Sequence, residues 1–377
     1  MVKRYSLKIG FISTVAGYQW AGSEELWYAA AIEGIATGHS VEISVALDIK
    51  NAPQIKKLTD LGGKVCFRNR SWHPRLAILR ETAFSSFRSL CKASDVVLLS
   101  LGSLLDPIYV PCLLKELSTA NVPFIILCQF NAEILKLSQG DRAIIQTLFN
   151  AAAGYVFVSE HNLLLTQRQL AMCLKKATVI YNPIRCKISE PLPWQQLETV
   201  QMGCVARFET LWKGHDVLLD ILSRPQWIAR QWHLNLYGSG PDEQYIQQLI
   251  RHYNLESRVT CRGYVRDIQS VWMDNHVMVL ASRGEGTPLA ILEAMMCGRP
   301  TITSDVGGNR EVLIHGETGF IADVATPFSF GSVLEEAWEN RDRWLEMGQA
   351  AHRAAKKIAK NSPGKELLNY IQTVHAA

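Results

Sequence analysis

Short apolar runs of four to seven residues alternate along the chain with longer stretches whose apolar positions recur at helical spacing. Lys8–Ser13, Val41–Val45, Val96–Leu99, Phe124–Cys128, Tyr155–Val158 and Thr178–Tyr181 read as strands of a first unit. Between them, Glu24–Ala36 and Arg75–Lys92 read as amphipathic helices. The pattern restarts after Asn182-Pro183, with strands expected at Val200–Ala206, His233–Tyr237, Val259–Arg262, Val277–Ala281 and Thr301–Ser304. The runs are apolar throughout rather than alternating, which argues for parallel sheets covered by helices on both faces. Pro183, Pro191 and Pro193 mark a linker at the restart. The expected fold class is α/β, with two Rossmann-like parallel-sheet domains at residues 1–183 and 184–362. Residues 363–377 follow as a helix placed to pack back on the first domain. Ligands of open parallel sheets bind at the carboxyl ends of the strands, so a site in a cleft between two facing domains is expected.

Composition agrees with two domains. The chain has 377 residues, 48% hydrophobic and 20% charged, enough to bury sizeable cores. That excludes a disordered scaffold, a collagen-like fibre and a disulfide-dependent mini-protein. A net charge of +4 is too mild to argue for a nucleic-acid partner. Nine cysteines include no C-x-x-C pair, and the nearest two in sequence, Cys173 and Cys186, stand thirteen positions apart. A zinc site or disulfide framework is not expected, and a reducing cytosol is the simplest home. The opening Met-Val-Lys-Arg has the look of a signal-peptide start, but Lys8 interrupts it and Ile9–Ser13 suits a buried strand better. The most apolar long stretch, Val96–Leu117, carries Asp106 and Lys115 and reads as soluble structure. The expected location is cytoplasmic, at most peripheral at the inner face of a membrane.

Charge is unevenly spread. Residues 54–92 carry nine Lys/Arg against two acids, a local +7 that leaves −3 on the rest of the chain. Leu76, Leu79, Ala83, Phe87 and Leu90 share one helical face there. Two readings stand: contact with an anionic membrane or a phosphate-bearing acceptor, or a core-facing helix with a solvated basic side.

The densest chemistry lies in Ala281–Gly298, Ala-Ser-Arg-Gly-Glu-Gly-Thr-Pro-Leu-Ala-Ile-Leu-Glu-Ala-Met-Met-Cys-Gly. Thr287 suits an N-cap, Pro288 the first helical position and Gly298 the C-terminal glycine. The helix start, with Gly286 before it and the amides of Leu289 and Ala290 pointing out, favours an anion such as a diphosphate. Glu285 lies just before the cap; Glu293, five residues past Pro288 or about 7–8 Å along the axis, could accept from two vicinal ribose hydroxyls. Arg207 and Lys213 follow the strand ending at Ala206, placed to neutralise a leaving diphosphate. Gly238 and Gly240 form another strand–glycine–helix turn, but Glu243 occupies the third glycine position of a dinucleotide fingerprint. Gly307-Gly308 again offer close backbone approach to a ligand. In the first unit, Ala21 and Gly22 would let amides near a reacting phosphate, and Ser23 would cap the helix opening with Glu24-Glu25. Trp20 is a candidate for sugar stacking.

At these residues the sequence resembles the retaining glycosyltransferases of glycosyltransferase family 4, which share the two-domain GT-B fold. The resemblance runs over nearly the whole chain and is specific in the second half, through Arg207, Lys213, Gly263, Glu285, Glu293, Gly298, Gly307-Gly308, Gly316 and Gly319. It implies that Glu285, Lys213, Arg207 and Asn131 serve catalysis. The implied donor site comprises Gly22, Arg207, Lys213, Gly238, Glu285, Gly286, Thr287, Pro288, Leu289 and Glu293, with the base held at Tyr264-Val265. Glu285 would contact the sugar and Glu293 the ribose. The implied reaction moves a sugar from a nucleoside diphosphate, UDP favoured over GDP, to an acceptor with retention. It uses no cofactor and no metal, the nucleotide sugar being a co-substrate. Many relatives carry a His after the strand equivalent to Phe124–Cys128, where this chain has Gln129-Phe-Asn131. These carboxamides bind hydroxyls but do not titrate. With Trp20, Ser159 and Glu160 they form the expected acceptor site; alternatively Ser159 and Glu160 only cap a helix. The acceptor is left open among lipid, polysaccharide and small metabolite, and the pattern carries no signal for an oligomeric state. Two other readings compete: a catalytically silent sugar-binding scaffold, supported by Gln129–Asn131, and an NAD-dependent oxidoreductase, which lacks its full glycine fingerprint.

Overall fold

Strands that are apolar on both sides must be covered on both sides, and the computed structural model builds two α/β units on that principle. It describes residues 6–17, 20–68, 80–110, 112–186 and 188–376. In the first unit the strands are β1 (Lys8–Ser13), β2 (Ser40–Ala46), β3 (Lys64–Arg68), β4 (Val96–Leu101), β5 (Phe124–Cys128), β6 (Gly154–Phe157) and β7 (Ala177–Val179). All pair in parallel, in the order β3-β2-β1-β4-β5-β6-β7. Successive residues point to opposite faces: Ile9 and Phe11 join Trp27 on one side, while Ile12, Val97 and Leu99 join Leu90 and Leu113 on the other.

This first unit comprises residues 1–131, 135–183 and 362–377. The helix Pro363–Ala376 lies on Glu25–Ala36, with Gly364 against Ala29 and with Leu367, Leu368 and Ile371 buried. Tyr370 ties it to the sheet, its hydroxyl donating to the Lys176 carbonyl and accepting from the Tyr155 amide.

The second unit holds β8 (Val200–Val205), β9 (Trp232–Tyr237), β10 (Val259–Gly263), β11 (Val277–Leu280), β12 (Thr301–Ser304) and β13 (Gly319–Ala322), parallel in the order β10-β9-β8-β11-β12-β13. Its order reverses between β8 and β11, so the segments leaving these two strands diverge around a crevice where ligands of such sheets bind.

Two strands depart from the sequence reading. β3 is a half-buried edge strand entered at Lys64, and β13 follows the turn at Gly316 that reads on its own as a loop. The basic stretch also divides. Arg68 is buried, its guanidinium donating to the Ser13 carbonyl and Ser44 hydroxyl and lying 4.6 Å from the Phe87 ring centroid, so it serves the core rather than a charged surface. Arg88 makes a two-pronged pair with Glu116 at 2.7 and 2.8 Å. Phe87 and Leu90 are buried as the helical face requires; Arg70, Arg75, Leu76 and Leu79 lie outside the described residues. Among the described residues no helix is long and apolar enough to cross a membrane.

Candidate functional site

Beyond β8 the chain makes a loop that its own side chains lock. Asp242 accepts from both the amide and the hydroxyl of Thr210 at 2.7 Å, fixing the short helix Thr210–Lys213. Gly214 follows at φ +63°, and a Cβ there would sit 1.8 Å from the Ala281 carbonyl oxygen, so only glycine lets this loop pack on the end of β11. Arg283, just past β11, grips the same loop. It donates to the Thr210 carbonyl at 2.8 Å and forks onto Asp216 at 3.0 and 2.7 Å.

That packing brings Lys213 to Glu285, with Nζ 2.7 Å from Oε1. The Ser282 hydroxyl donates to the same oxygen at 2.7 Å. Both side chains are largely buried, at 21% and 10% exposure, so the pair holds a defined geometry rather than a solvated one. Under Glu285 runs the Gly307-Gly308 turn. A Cβ on Gly307 would lie 2.5 Å from the Glu285 carbonyl oxygen, and the Gly308 amide donates to Gly286 at 3.0 Å. These glycines therefore admit the Glu285–Gly286 backbone, where the sequence alone suggested a ligand. Gly238 has the same meaning, with the Ala206 carbonyl where its Cβ would be.

The helix Leu289–Met296 begins one residue later than expected. Pro288 is the N-cap and makes no side-chain cap bond, and the Leu289 amide donates to the Thr287 carbonyl at 2.8 Å. Thr287 is thus not the cap, and the Leu289 amide is turned inward. Gly298 closes the helix at φ +76°. Glu293 is buried on this helix, with Oε1 3.7 Å from Nε of Arg185. Arg207 pairs with Glu209 at 3.6 Å, and Tyr264 stands 72% exposed just past β10, beside half-buried Val265.

His215 opens the next helix with neither ring nitrogen bonded among the described residues. Burial, with Lys213 nearby, holds it down to about 4, so it is neutral at pH 7.

In the first unit the expected residues lie after β1, β5 and β6 of one sheet. Gly22 starts a 3-10 turn, Gly22–Glu24, and Ser23 sits inside it rather than capping the helix Glu25–Ala36. Trp20 donates to Glu25 at 2.6 Å and meets Tyr28 edge-on at 5.6 Å. Gln129 accepts from Asn182 at 2.9 Å, and Asn131 donates to Thr166 at 2.9 Å; both are buried. Ser159 caps the helix Glu160–Leu170 by accepting from the Asn162 amide, with Glu160 exposed in its first turn.

Glu24 is a group that the sequence did not single out. Fully buried, it accepts from Ser13 at 2.9 Å and from the Trp27 indole at 2.5 Å, and burial raises it to about 7. Arg68 opposes that rise and Glu25 adds to it. A carboxyl raised in the folded state stabilises fully below its ordinary 4.5 and loses that contribution as pH climbs through 7. The loss amounts to about 3 kcal/mol. Denaturant midpoints between pH 4.5 and 8 should fall less steeply in Glu24→Gln than in the wild type; parallel profiles would refute this assignment.

Comparison with known proteins follows the same division. Residues 199–340 match the family model of glycosyl transferases group 1. N-acetyl-alpha-D-glucosaminyl L-malate synthase of Bacillus anthracis is 28% identical over 142 residues, covering 38% of this chain and 36% of that protein. D-rhamnosyltransferase WbpZ of Pseudomonas aeruginosa is 30% identical over 148 residues, covering 37% and 36%. The matched stretch thus spans little more than a third of these curated relatives. The fold likeness runs further: Anabaena HepE, solved in complex with UDP, superposes with a TM-score of 0.74 over 97% of this chain and 100% of that one, at 18% identity. Residues 199–340 thus match the glycosyl transferases group 1 model, and the chain as a whole has the two-unit GT-B fold.

Proposed function

We propose that the protein is a retaining glycosyltransferase that moves a sugar from a nucleoside diphosphate, UDP favoured, to an acceptor hydroxyl. The observation that carries this reading is the Lys213–Glu285 pair at the β8/β11 reversal, with Glu293 on the helix that follows. Lys213 and Arg207 would neutralise the leaving diphosphate, Glu285 would orient the sugar, and Glu293 would accept from the ribose. The acceptor oxygen bonds the anomeric carbon on the face from which the diphosphate departs. Its proton passes to the leaving phosphate oxygen, so no titrating side chain is required at Gln129 or Asn131. The UDP bound to Anabaena HepE supports the choice of base.

Thermal unfolding with UDP, GDP, ADP and NAD tests the donor site. A ligand at a hundred times its dissociation constant adds about 2.7 kcal/mol. Stabilisation of the wild type by UDP, lost in Glu293→Ala, is the expected result. Stabilisation by NAD alone would point to an oxidoreductase, and no response to any of the four would reject the donor assignment.

A further inference from the structure

The segment leaving the first sheet is fastened to the second unit along its length. Cys186 and Cys297 share a thiol hydrogen bond. The Ser189 carbonyl accepts from His352 at 3.2 Å and Lys356 at 2.8 Å, and the Leu192 amide donates to the Cys297 carbonyl at 3.1 Å. Arg299 holds the Leu192 and Pro193 carbonyls at 3.2 and 2.7 Å. Arg185 stands next to the first of these anchors, so its place beside Glu293 is set by the same unit that carries Glu293. The Arg185 side chain is 47% exposed, and an ion pair that open adds little to stability.

We propose that Arg185 and Glu293 act as a donor–acceptor couple that reads the ribose hydroxyls of the nucleotide, selecting ribonucleoside over 2′-deoxyribonucleoside diphosphates. This rests on the donor-site reading above. A hydroxyl both gives a proton and takes one; a carboxylate can only accept and a guanidinium can only donate. Glu293 alone answers half of each ribose hydroxyl, and Arg185 beside it answers the other half. A site built to bond a hydroxyl rejects the analogue that lacks it, because its own polar groups are left unmatched. The half-open position of Arg185 moderates the effect, so a preference of about 10- to 100-fold is expected rather than the extreme values of sealed sites.

Calorimetric titration of the full chain with UDP and 2′-deoxy-UDP, and with the GDP and ADP pairs, tests the proposal. The wild type should bind one ribonucleotide at least about tenfold tighter than its deoxy form. In Arg185→Met, which keeps a long stem without donors, the ribonucleotide should weaken and the deoxy form should not, bringing the ratio to about threefold or less. Arg185→Lys should fall between, and an unchanged melting temperature checks that both variants fold. An unmoved ratio in Arg185→Met overturns the proposal. So does an equal loss of ribo and deoxy forms, which would assign Arg185 to phosphate charge. In either case the donor site itself stands. Failure of every ribonucleotide to bind the wild type would reject the donor site as well.

Discussion

Lys213→Ala is expected to lower turnover of the nucleotide sugar by about 10²–10³-fold in kcat, the cost of removing one preorganised group aimed at developing charge. The loop that carries it is fixed by the Gly214–Ala281 packing and the Arg283–Asp216 fork, so in the proposed role the side chain would need no rearrangement as a diphosphate departs. Alanine leaves Glu285 bonded to Ser282, and melting should move little because that carboxylate keeps a partner. Glu293→Ala should behave differently, raising KM with a smaller change in kcat, because a contact to the ribose, its proposed role, would be equal in ground and transition states. Release of nucleoside diphosphate measures both. The same loss of kcat and KM in the two variants would sink the division of roles.

Arg299→Leu should cost the fold about 3–5 kcal/mol, several carbonyls at about 1–3 kcal/mol each being left without their donor, offset in part by water. The side chain is 1% exposed and donates to Trp272 and Asn275 as well as to Leu192 and Pro193. It also lies 5.3 Å from the Trp194 ring centroid. Burial lowers it to about 10, which still leaves it charged at neutral pH. For a unit of this size the melting temperature should fall by about 10 °C. Arg299→Lys keeps the charge but not the planar fork and should recover only part of it. A change within about 2 °C in Arg299→Leu would show that the carbonyls are readily satisfied by water.

Much of this architecture is legible in the chain because continuous apolar runs admit few other meanings. β1, β5 and β12 fall where the pattern puts them. β3 and β13 do not announce themselves, being short and bordered by charge or turn residues. Glu285 and Lys213 could each be singled out by motif, since one follows each strand at the order reversal, but the ion pair between them could not. What escapes is contact between distant positions. Cys186 and Cys297 are over a hundred residues apart, yet they meet, while the cysteines nearest in sequence gave no hint. Arg185 and Arg299 act through that same long-range packing, and Glu24 is conspicuous only once its burial is known.

The helix Pro363–Ala376 sets an order on synthesis. A ribosome delivers the seven strands of the first sheet long before it delivers Leu367, Leu368 and Ile371, which cover the helix Glu25–Ala36. All but residues 132–134 of the second unit lies in the intervening chain, residues 184–361, so its sheet can close first while the earlier-made unit waits with an apolar face open. During that interval the nascent chain presents the surface that chaperones bind. A stop codon before residue 363 would leave it in that state permanently, aggregation-prone although every strand is present.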